Sequence, residues 1–317
     1  MVLDDVLTRR LVVLSGKGGV GKSVVGLALA LAARERGKRV LLVEVQAPVE
    51  AARYLGRPPA GDREREALPG LATVNLDPAT VMDEYVRQTV KIEMLSRRIL
   101  ASPVYSRFFA AAPGLKDLML LGKIMVLEEA RDRFSRRPRY DLIVLDAPAT
   151  GHGLSLLKVP IAASEAVPIG PVGHNARRIL RLLRDERKTA LVIVAVPDEM
   201  AVVEAVQFHE HAVRDLRMPP SLVVLNACHE RRFREAEEAE VLRLAARGPE
   251  GRLPGDVPLA AALLAGRRQI RRRKLTRFYE ARLRRAIDLP LVCLPYLFRD
   301  MLDEEDLLLL ASRLEAA

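Results

Sequence analysis

Tryptophan is absent from this 317-residue chain, aromatic residues make up 4% of it, and its two cysteines are Cys228 and Cys293. Two cysteines so far apart form neither a disulfide framework nor a Cys-x-x-Cys metal or redox motif, so we expect no zinc site. No run of about 18 apolar residues is free of charge, which argues against a membrane span. The first residues do not have the pattern of a signal peptide. These absences together predict a soluble, cytoplasmic protein.

The residues that are present are half apolar and 29% charged, with 51 basic against 41 acidic side chains and a formal charge of +10. Most of the basic residues are arginine. High arginine content can reflect the base composition of a genome, so this excess is a weak sign of a nucleic-acid partner, and we expect none. The length fits one large domain, or one domain with an insertion.

Short apolar runs recur between helical patterns, as in a parallel sheet that helices cover on both faces. The predicted strands are Leu11–Ser15, Val40–Val45, Ala72–Leu76, Leu142–Asp146, Leu191–Val196, Leu222–Asn226 and Leu291–Leu294. The predicted fold class is therefore α/β, a doubly wound and mostly parallel sheet flanked by helices.

A long segment with helical spacing and no strand signal separates the third and fourth of these strands. It predicts a helical subdomain, 79–138, inserted into a core formed by 1–78 and 139–317. The segment is either a set of ordinary surface helices or a subdomain that docks a protein client.

Two further helical patterns differ in charge. The dense basic run 267–274 is either a solvated helix face or a surface for an acidic or anionic partner. The C-terminal stretch Leu302–Leu314 is amphipathic but acidic, which argues against a membrane-targeting helix there.

The strongest motif lies between the first strand and the first long helical pattern, where 15–23 reads Ser-Gly-Lys-Gly-Gly-Val-Gly-Lys-Ser. This matches Gly-x-x-x-x-Gly-Lys-Ser, in which glycines turn backbone N–H groups toward phosphate oxygens and a helix N-terminus adds positive charge. Lys22 is expected to reach the β- and γ-phosphates of ATP, and Ser23 to bind Mg²⁺. The predicted nucleotide-binding residues of the loop are Gly16, Lys17, Gly18, Gly19, Val20, Gly21, Lys22 and Ser23.

An acidic residue at the end of a later strand adds a second element of this chemistry. The strand Leu142–Asp146 ends in Asp146, a residue suited to hold Mg²⁺ through a water molecule.

Lys17, two residues into the loop, resembles the additional lysine of the signature-lysine ATPases. Downstream, 146–160 reads Asp-Ala-Pro-Ala-Thr-Gly-His-Gly-Leu-Ser-Leu-Leu-Lys-Val-Pro and is similar to the switch segment of the arsenite-pump ATPase (ArsA) family. That family includes the ATPases that target tail-anchored membrane proteins. The resemblance covers nearly the whole chain.

The resemblance implies a P-loop NTPase fold and a nucleotide-sandwich dimer, formed with a second copy or with a paralogue. Lys17 would then contact the nucleotide of the other subunit. It also implies that Asn226 reads the adenine ring and that Pro295 belongs to the nucleotide site. His152, in the switch segment, is interpreted as a structural or partner-binding residue.

The chain departs from the family pattern after the second strand, where Gln46 stands in place of an aspartate that positions the attacking water. A glutamine can orient water but cannot accept its proton, so we expect slow hydrolysis or help from another carboxylate such as Glu44. Alternatively, the alignment is shifted by two residues and Glu44 is itself the equivalent residue. The predicted catalytic residues are Lys17, Lys22, Gln46 and Asp146.

Cysteine usage also departs from the family. The zinc-binding pair of the tail-anchored-protein branch and the arsenite-binding cluster of the pump are both missing, so arsenite extrusion is not expected.

Three functions remain at this point. The first is an ATP-hydrolysing dimeric switch, and the second is a nucleotide-sensing scaffold with little hydrolysis, which Gln46 favours. The third is a positioning ATPase of the MinD or ParA kind, against which the 146–160 segment and the lack of a basic membrane helix weigh.

Overall fold

The computed structural model describes most of the chain in 11 stretches, namely 2–45, 50–89, 94, 98, 100, 102, 114–132, 134–148, 150–247, 250–253 and 257–316. The strands are β1 (Leu11–Ser15), β2 (Val40–Val45), β3 (Arg65–Leu68), β4 (Leu71–Leu76), β5 (Leu142–Asp146), β6 (Thr189–Ala195), β7 (Leu222–Cys228), β8 (Arg252–Leu253), β9 (Val257–Pro258) and β10 (Leu291–Pro295). The helices are α1 (Val2–Leu7), α2 (Lys22–Glu35), α3 (Glu50–Tyr54), α4 (Pro78–Thr89), α5 (Leu115–Glu129), α6 (Thr150–Ala166), α7 (Pro171–Arg184), α8 (Glu199–His211), α9 (Glu235–Ala246), α10 (Leu259–Ala286) and α11 (Glu304–Glu315).

One sheet organises the fold, with its strands in the order β10-β7-β6-β1-β5-β2-β4-β3. Every neighbouring pair is parallel except β3 with β4, which is antiparallel. The doubly wound α/β prediction is therefore confirmed, and each predicted strand is present with ends that differ by at most two residues. The edge strand β3 was not predicted, because it has four residues and the first two, Arg65 and Glu66, are charged and exposed.

Apolar side chains of the sheet face two separate cores. On one face, α2 packs with α1 and α11 against residues such as Val12, Leu14 and Leu42. On the other face, α5, α6, α7 and α8 cover residues such as Leu11 and Val13. Because successive side chains of a strand point to opposite faces, β1 contributes to both cores and is buried throughout. The end of β1 is thus held at the centre of the molecule.

The predicted helical segment 79–138 contains α4 and α5, which pack against each other. An apolar cavity between these helices and α7 is lined by Val81, Tyr85, Leu118, Met119 and Met125. Most of 90–113 lies outside the described residues. The division into a core and an inserted subdomain, and its role as a client site, stay predictions.

Of the helices that the structure describes, none combines the length and the hydropathy that a membrane crossing requires.

The end of α5 is fastened to the sheet by Arg10, which precedes β1. Its guanidinium donates to the Glu128 carboxylate at 3.2 Å, to the Glu128 carbonyl at 2.9 Å and to the Tyr140 carbonyl at 2.5 Å. Glu128 is only 2% exposed, so its charge depends on this partner for compensation.

We expect Arg10→Ala to lower the free energy of unfolding by about 3 kcal/mol, because it leaves a buried carboxylate without its main partner. Arg178→Ala is the matched control, since it removes an exposed pair with the adjacent Glu129 and should cost at most about 1 kcal/mol. Urea denaturation of both variants measures the difference. Equal losses would show that the Arg10 contacts do not hold α5 to the sheet.

Candidate functional site

The loop between β1 and α2 is closed against the two strands on one side of β1. A Cβ added to Gly16 would lie 2.2 Å from the carbonyl oxygen of Val194, and one added to Gly21 would lie 2.3 Å from Nδ2 of Asn226. Gly19 and Gly21 also have positive φ angles of 81° and 82°, which favour glycine. We call residues 16–21 the glycine loop. Its shape therefore requires glycine at several of its positions.

Lys22, the first residue of α2, folds back over this loop. Its Nζ donates to the carbonyl oxygens of Gly16 at 3.1 Å and Lys17 at 3.2 Å. Burial lowers the pKa of Lys22, and the charge of Asp146 partly opposes that shift. The ammonium is thus held at the mouth of the glycine loop by neutral acceptors, which an anionic ligand could replace.

Ser23 and Asp146 meet at the other end of the loop. Ser23 Oγ donates to Asp146 Oδ2 at 2.5 Å, and Asp146 ends β5, the strand beside β1. A hydroxyl and a carboxylate are the kind of oxygen ligands that Mg²⁺ prefers. Together with the space that only glycines leave at the loop, this pair fits a nucleotide bound with Mg²⁺.

The next strand places Glu44 beside Asp146, since the two residues are Cα partners across β2 and β5. Glu44 is 2% exposed, and its Oε1 accepts a hydrogen bond from the backbone N–H of Ala51 at 3.0 Å. The carboxylate therefore holds the start of α3. Gln46 lies outside the described residues.

Asn226 and Pro295 lie at the adjacent ends of β7 and β10. Asn226 Nδ2 donates to the carbonyl oxygen of Val20 at 3.0 Å. Both residues line a pocket of about 170 Å³, together with Tyr296 and Phe298. The structure thus brings together two of the predicted nucleotide-binding residues that are 69 positions apart in the sequence.

The backbone around this pocket is unusual at two positions. Ala227 has a φ of 56° and Phe298 a φ of 48°, in a region that residues other than glycine seldom occupy. At Ala227, inside β7, this conformation coincides with a register shift in the pairing of β7 with β10. Both residues line the pocket beside Asn226.

Lys17 does not join Lys22 at the mouth of the loop. Its Nζ forms an ion pair with Glu204 Oε1 of α8 at 3.0 Å, and both side chains are about one-third exposed. Sequence reasoning did not find Glu204, because an acidic residue on an amphipathic helix carries no motif. Only the position of α8 after β6, the strand beside β1, could have suggested it.

The switch segment, 146–160, starts at the last residue of β5 and includes the first turns of α6, which begins at Thr150. A Cβ at Gly153 would lie 2.8 Å from the carbonyl oxygen of Pro148 and 3.3 Å from Ser15 Oγ. Gly153 thus lets the first turn of α6 pack against the end of β1. The side chain of His152 lies outside the described part of the chain.

The two cysteines, distant in sequence, are neighbours in the sheet. A hydrogen bond with Cys293 and burial raise the pKa of the Cys228 thiol. Both residues are free thiols, and Cys228 Sγ also lies 3.2 Å from the carbonyl oxygen of Leu225. Their separation of 65 positions in the sequence carries no signal of this proximity.

The comparison with protein families agrees with this geometry. A family model described as anion-transporting ATPase (ArsA) matches residues 9–169, which include the glycine loop, β5 and all of α6. Its match also contains Lys17, Lys22, Ser23 and Asp146.

Curated relatives extend the similarity beyond that half of the chain. ATPase BagA of Mycobacterium tuberculosis is 30% identical over 264 residues, which cover 81% of this chain and 74% of that protein. An arsenical pump-driving ATPase of Acidiphilium multivorum is 26% identical over 67% of this chain and 38% of its own length. A pump-driving ATPase of Escherichia coli is 26% identical over 62% of this chain and 35% of its own length.

The family model matches half of the chain, and a relative at 30% identity spans four-fifths of it. The matched residues include the glycine loop and the hydrogen-bonded Ser23–Asp146 pair beside it. This chain belongs to the ArsA family of ATPases.

Proposed function

We propose that this chain binds ATP with Mg²⁺ at the glycine loop and hydrolyses it slowly, as a switch that works in a dimer. The observation that carries the proposal is the convergence of three groups around one loop that is too tight for side chains. These groups are the Lys22 ammonium, the Ser23 hydroxyl and the Asp146 carboxylate.

In this proposal each group has one task. ATP with Mg²⁺ supplies a γ-phosphoryl group that can be transferred to water. The backbone N–H groups of the loop and the start of α2 bind phosphate oxygens, and Lys22 exchanges its carbonyl acceptors for the β- and γ-phosphates. Ser23 and Asp146 would hold the magnesium ion, Asp146 through a water molecule.

Slow hydrolysis is proposed from the residues that follow β2. Gln46 would orient the attacking water but cannot take its proton. The carboxylate of Glu44 is buried and accepts the N–H of Ala51, which supports a structural task for Glu44. The same glutamine favours a second candidate function, a nucleotide-sensing scaffold with little hydrolysis.

Adenine recognition is proposed for the pocket between β7 and β10. The Asn226 amide has two N–H groups and an oxygen. One N–H donates to the carbonyl oxygen of Val20. The second N–H and the amide oxygen would donate to and accept from the edge of a purine. In this way one side chain would contact both the base and the glycine loop.

Dimerisation is proposed from Lys17. Its ammonium is directed to α8 and away from the mouth of its own loop, which supports a task outside its own subunit. When two loops face each other, Lys17 would exchange Glu204 for the phosphates of the neighbouring nucleotide. The neighbour is a second copy of the chain or a paralogue.

We expect Lys22→Ala to weaken binding of ATP with Mg²⁺ by about 10- to 100-fold, the loss typical of a hydrogen bond to a charged group. Isothermal titration calorimetry of the whole chain measures the affinity. Lys17→Ala is the matched control, because it removes an ammonium of the same loop that pairs with Glu204 and should change the affinity little. Unchanged ATP affinity in Lys22→Ala would overturn the assignment of the loop.

We expect Lys17→Ala to lower ATP turnover by orders of magnitude, as removal of an arginine finger does (about 10³–10⁵-fold). Mixing it with Lys22→Ala should partly restore turnover. The Lys22→Ala subunit binds ATP weakly itself but offers its Lys17 to the ATP of the other subunit, so one composite site is complete.

Two controls accompany the mixture. A double variant that lacks both lysines, mixed with Lys17→Ala, should stay inactive because it has no Lys17 to offer. Glu204→Gln keeps the ammonium and should keep turnover. If mixed dimers form and the first mixture is as inactive as the second, Lys17 does not act across the interface.

A further inference from the structure

The formal charge of the chain is concentrated on one helix. The whole chain has 51 basic and 41 acidic side chains. Helix α10 alone carries ten of the basic residues and a single acidic one, Glu280. The rest of the chain is therefore almost neutral, with 41 basic and 40 acidic side chains. A uniform bias toward arginine does not explain this distribution.

One side of α10 is fixed to the protein body. Leu263, Gly266, Ile270, Thr276 and Leu283 are buried, and the helix packs against α9 and α8. Its 28 residues make it about 42 Å long. The opposite side is consequently held outward along the whole length of the helix.

That outward side combines cationic and apolar side chains. At 100° per residue they lie within about 120° of the helix circumference. We call them the basic stripe, whose members are all exposed: Leu264, Arg267, Arg268, Arg271, Lys274, Leu275, Phe278, Arg282 and Arg285. Leu264 is 43% exposed, Leu275 41% and Phe278 60%. Fully solvated helix faces seldom carry so many apolar groups.

Among the described residues, the cations of the basic stripe form no ion pairs with acidic side chains. Within the described ranges, none of the six lies at ion-pair distance from a carboxylate, whereas Glu280 pairs with Arg284 outside the stripe. Another basic side chain of α10, Arg273, is directed to the carbonyl oxygen of His229. The charges of the stripe are thus available to an external anion.

We propose that the basic stripe binds a membrane surface rich in anionic lipids, with α10 lying in the plane of the headgroups. Lipid phosphates would pair with the cations, and Leu264, Leu275 and Phe278 would enter the boundary between headgroups and acyl chains. Arginine suits this arrangement because its apolar stem can remain among the headgroups while its guanidinium reaches phosphate.

Other partners fit the stripe less well. A second copy would bring two sets of six like charges together, which is unfavourable. A nucleic acid would pair with the cations, and Phe278 could stack on a base, but the exposed Leu264 and Leu275 would gain no apolar contact from a phosphate backbone. The mixture of charge and aliphatic groups thus favours lipid.

The test is flotation of the whole chain with vesicles. We expect binding to phosphatidylcholine vesicles that contain about 30% phosphatidylglycerol, and none to pure phosphatidylcholine. Arg271→Glu with Lys274→Glu should weaken binding by about tenfold or more. The matched control is Arg57→Glu with Arg187→Glu, two exposed arginines elsewhere with the same change in net charge, which should bind nearly as wild type does.

A second variant separates lipid from nucleic acid. Leu275→Ser with Phe278→Ser keeps every charge and alters exposed side chains only, so it should fold normally, as circular dichroism would verify. We expect it to weaken vesicle binding several-fold. Vesicle binding that equals wild type in both stripe variants would overturn the proposal. So would wild-type binding to duplex DNA or RNA but not to the anionic vesicles.

Discussion

The glycine loop requires glycine because the strands around it leave no room for side chains. Gly16 lies against the backbone of β6, and Gly21 lies against Asn226 of β7. Both strands are held in place by parallel pairing with their neighbours across the centre of the sheet. Because β1 is buried on both faces, the loop begins from the most constrained point of the fold. Its shape is therefore set before any ligand binds, which lowers the cost of binding.

The same constraint brings the other groups into position. The parallel strands β5 and β2 end beside β1, so Asp146 reaches Ser23 and Glu44 reaches the start of α3. On the other side, residues in the left-handed region within β7 (Ala227) and after β10 (Phe298) line a pocket next to Asn226. Lys17 leaves the loop toward α8. A nucleotide at the loop would thus contact groups from both sides of β1.

Features with a local pattern could be predicted from the sequence. Neighbouring residues in the sequence determine the loop between β1 and α2, the acidic end of β5 and the apolar strands. The structure contains each of these elements where it was predicted. Contacts between distant elements could not be predicted. The Lys17–Glu204 pair and the proximity of Cys228 to Cys293 arise from how helices and strands are placed in the sheet. The basic run 267–274 was evident in the sequence, but which of its side chains share one exposed side of α10 depends on how that helix packs. The edge strand β3 could not be predicted for another reason, because its four residues do not alternate between apolar and polar.

Hydrogen–deuterium exchange of the whole chain reports where a ligand binds, and therefore decides whether ATP with Mg²⁺ binds at the glycine loop. With ATP and Mg²⁺ present, we expect slower exchange in peptides that contain 16–23 and the ends of β5 and β7. Peptides from α10 should exchange as before. Unchanged exchange at the glycine loop, with protection elsewhere or none at all, would exclude the glycine loop as the ATP site.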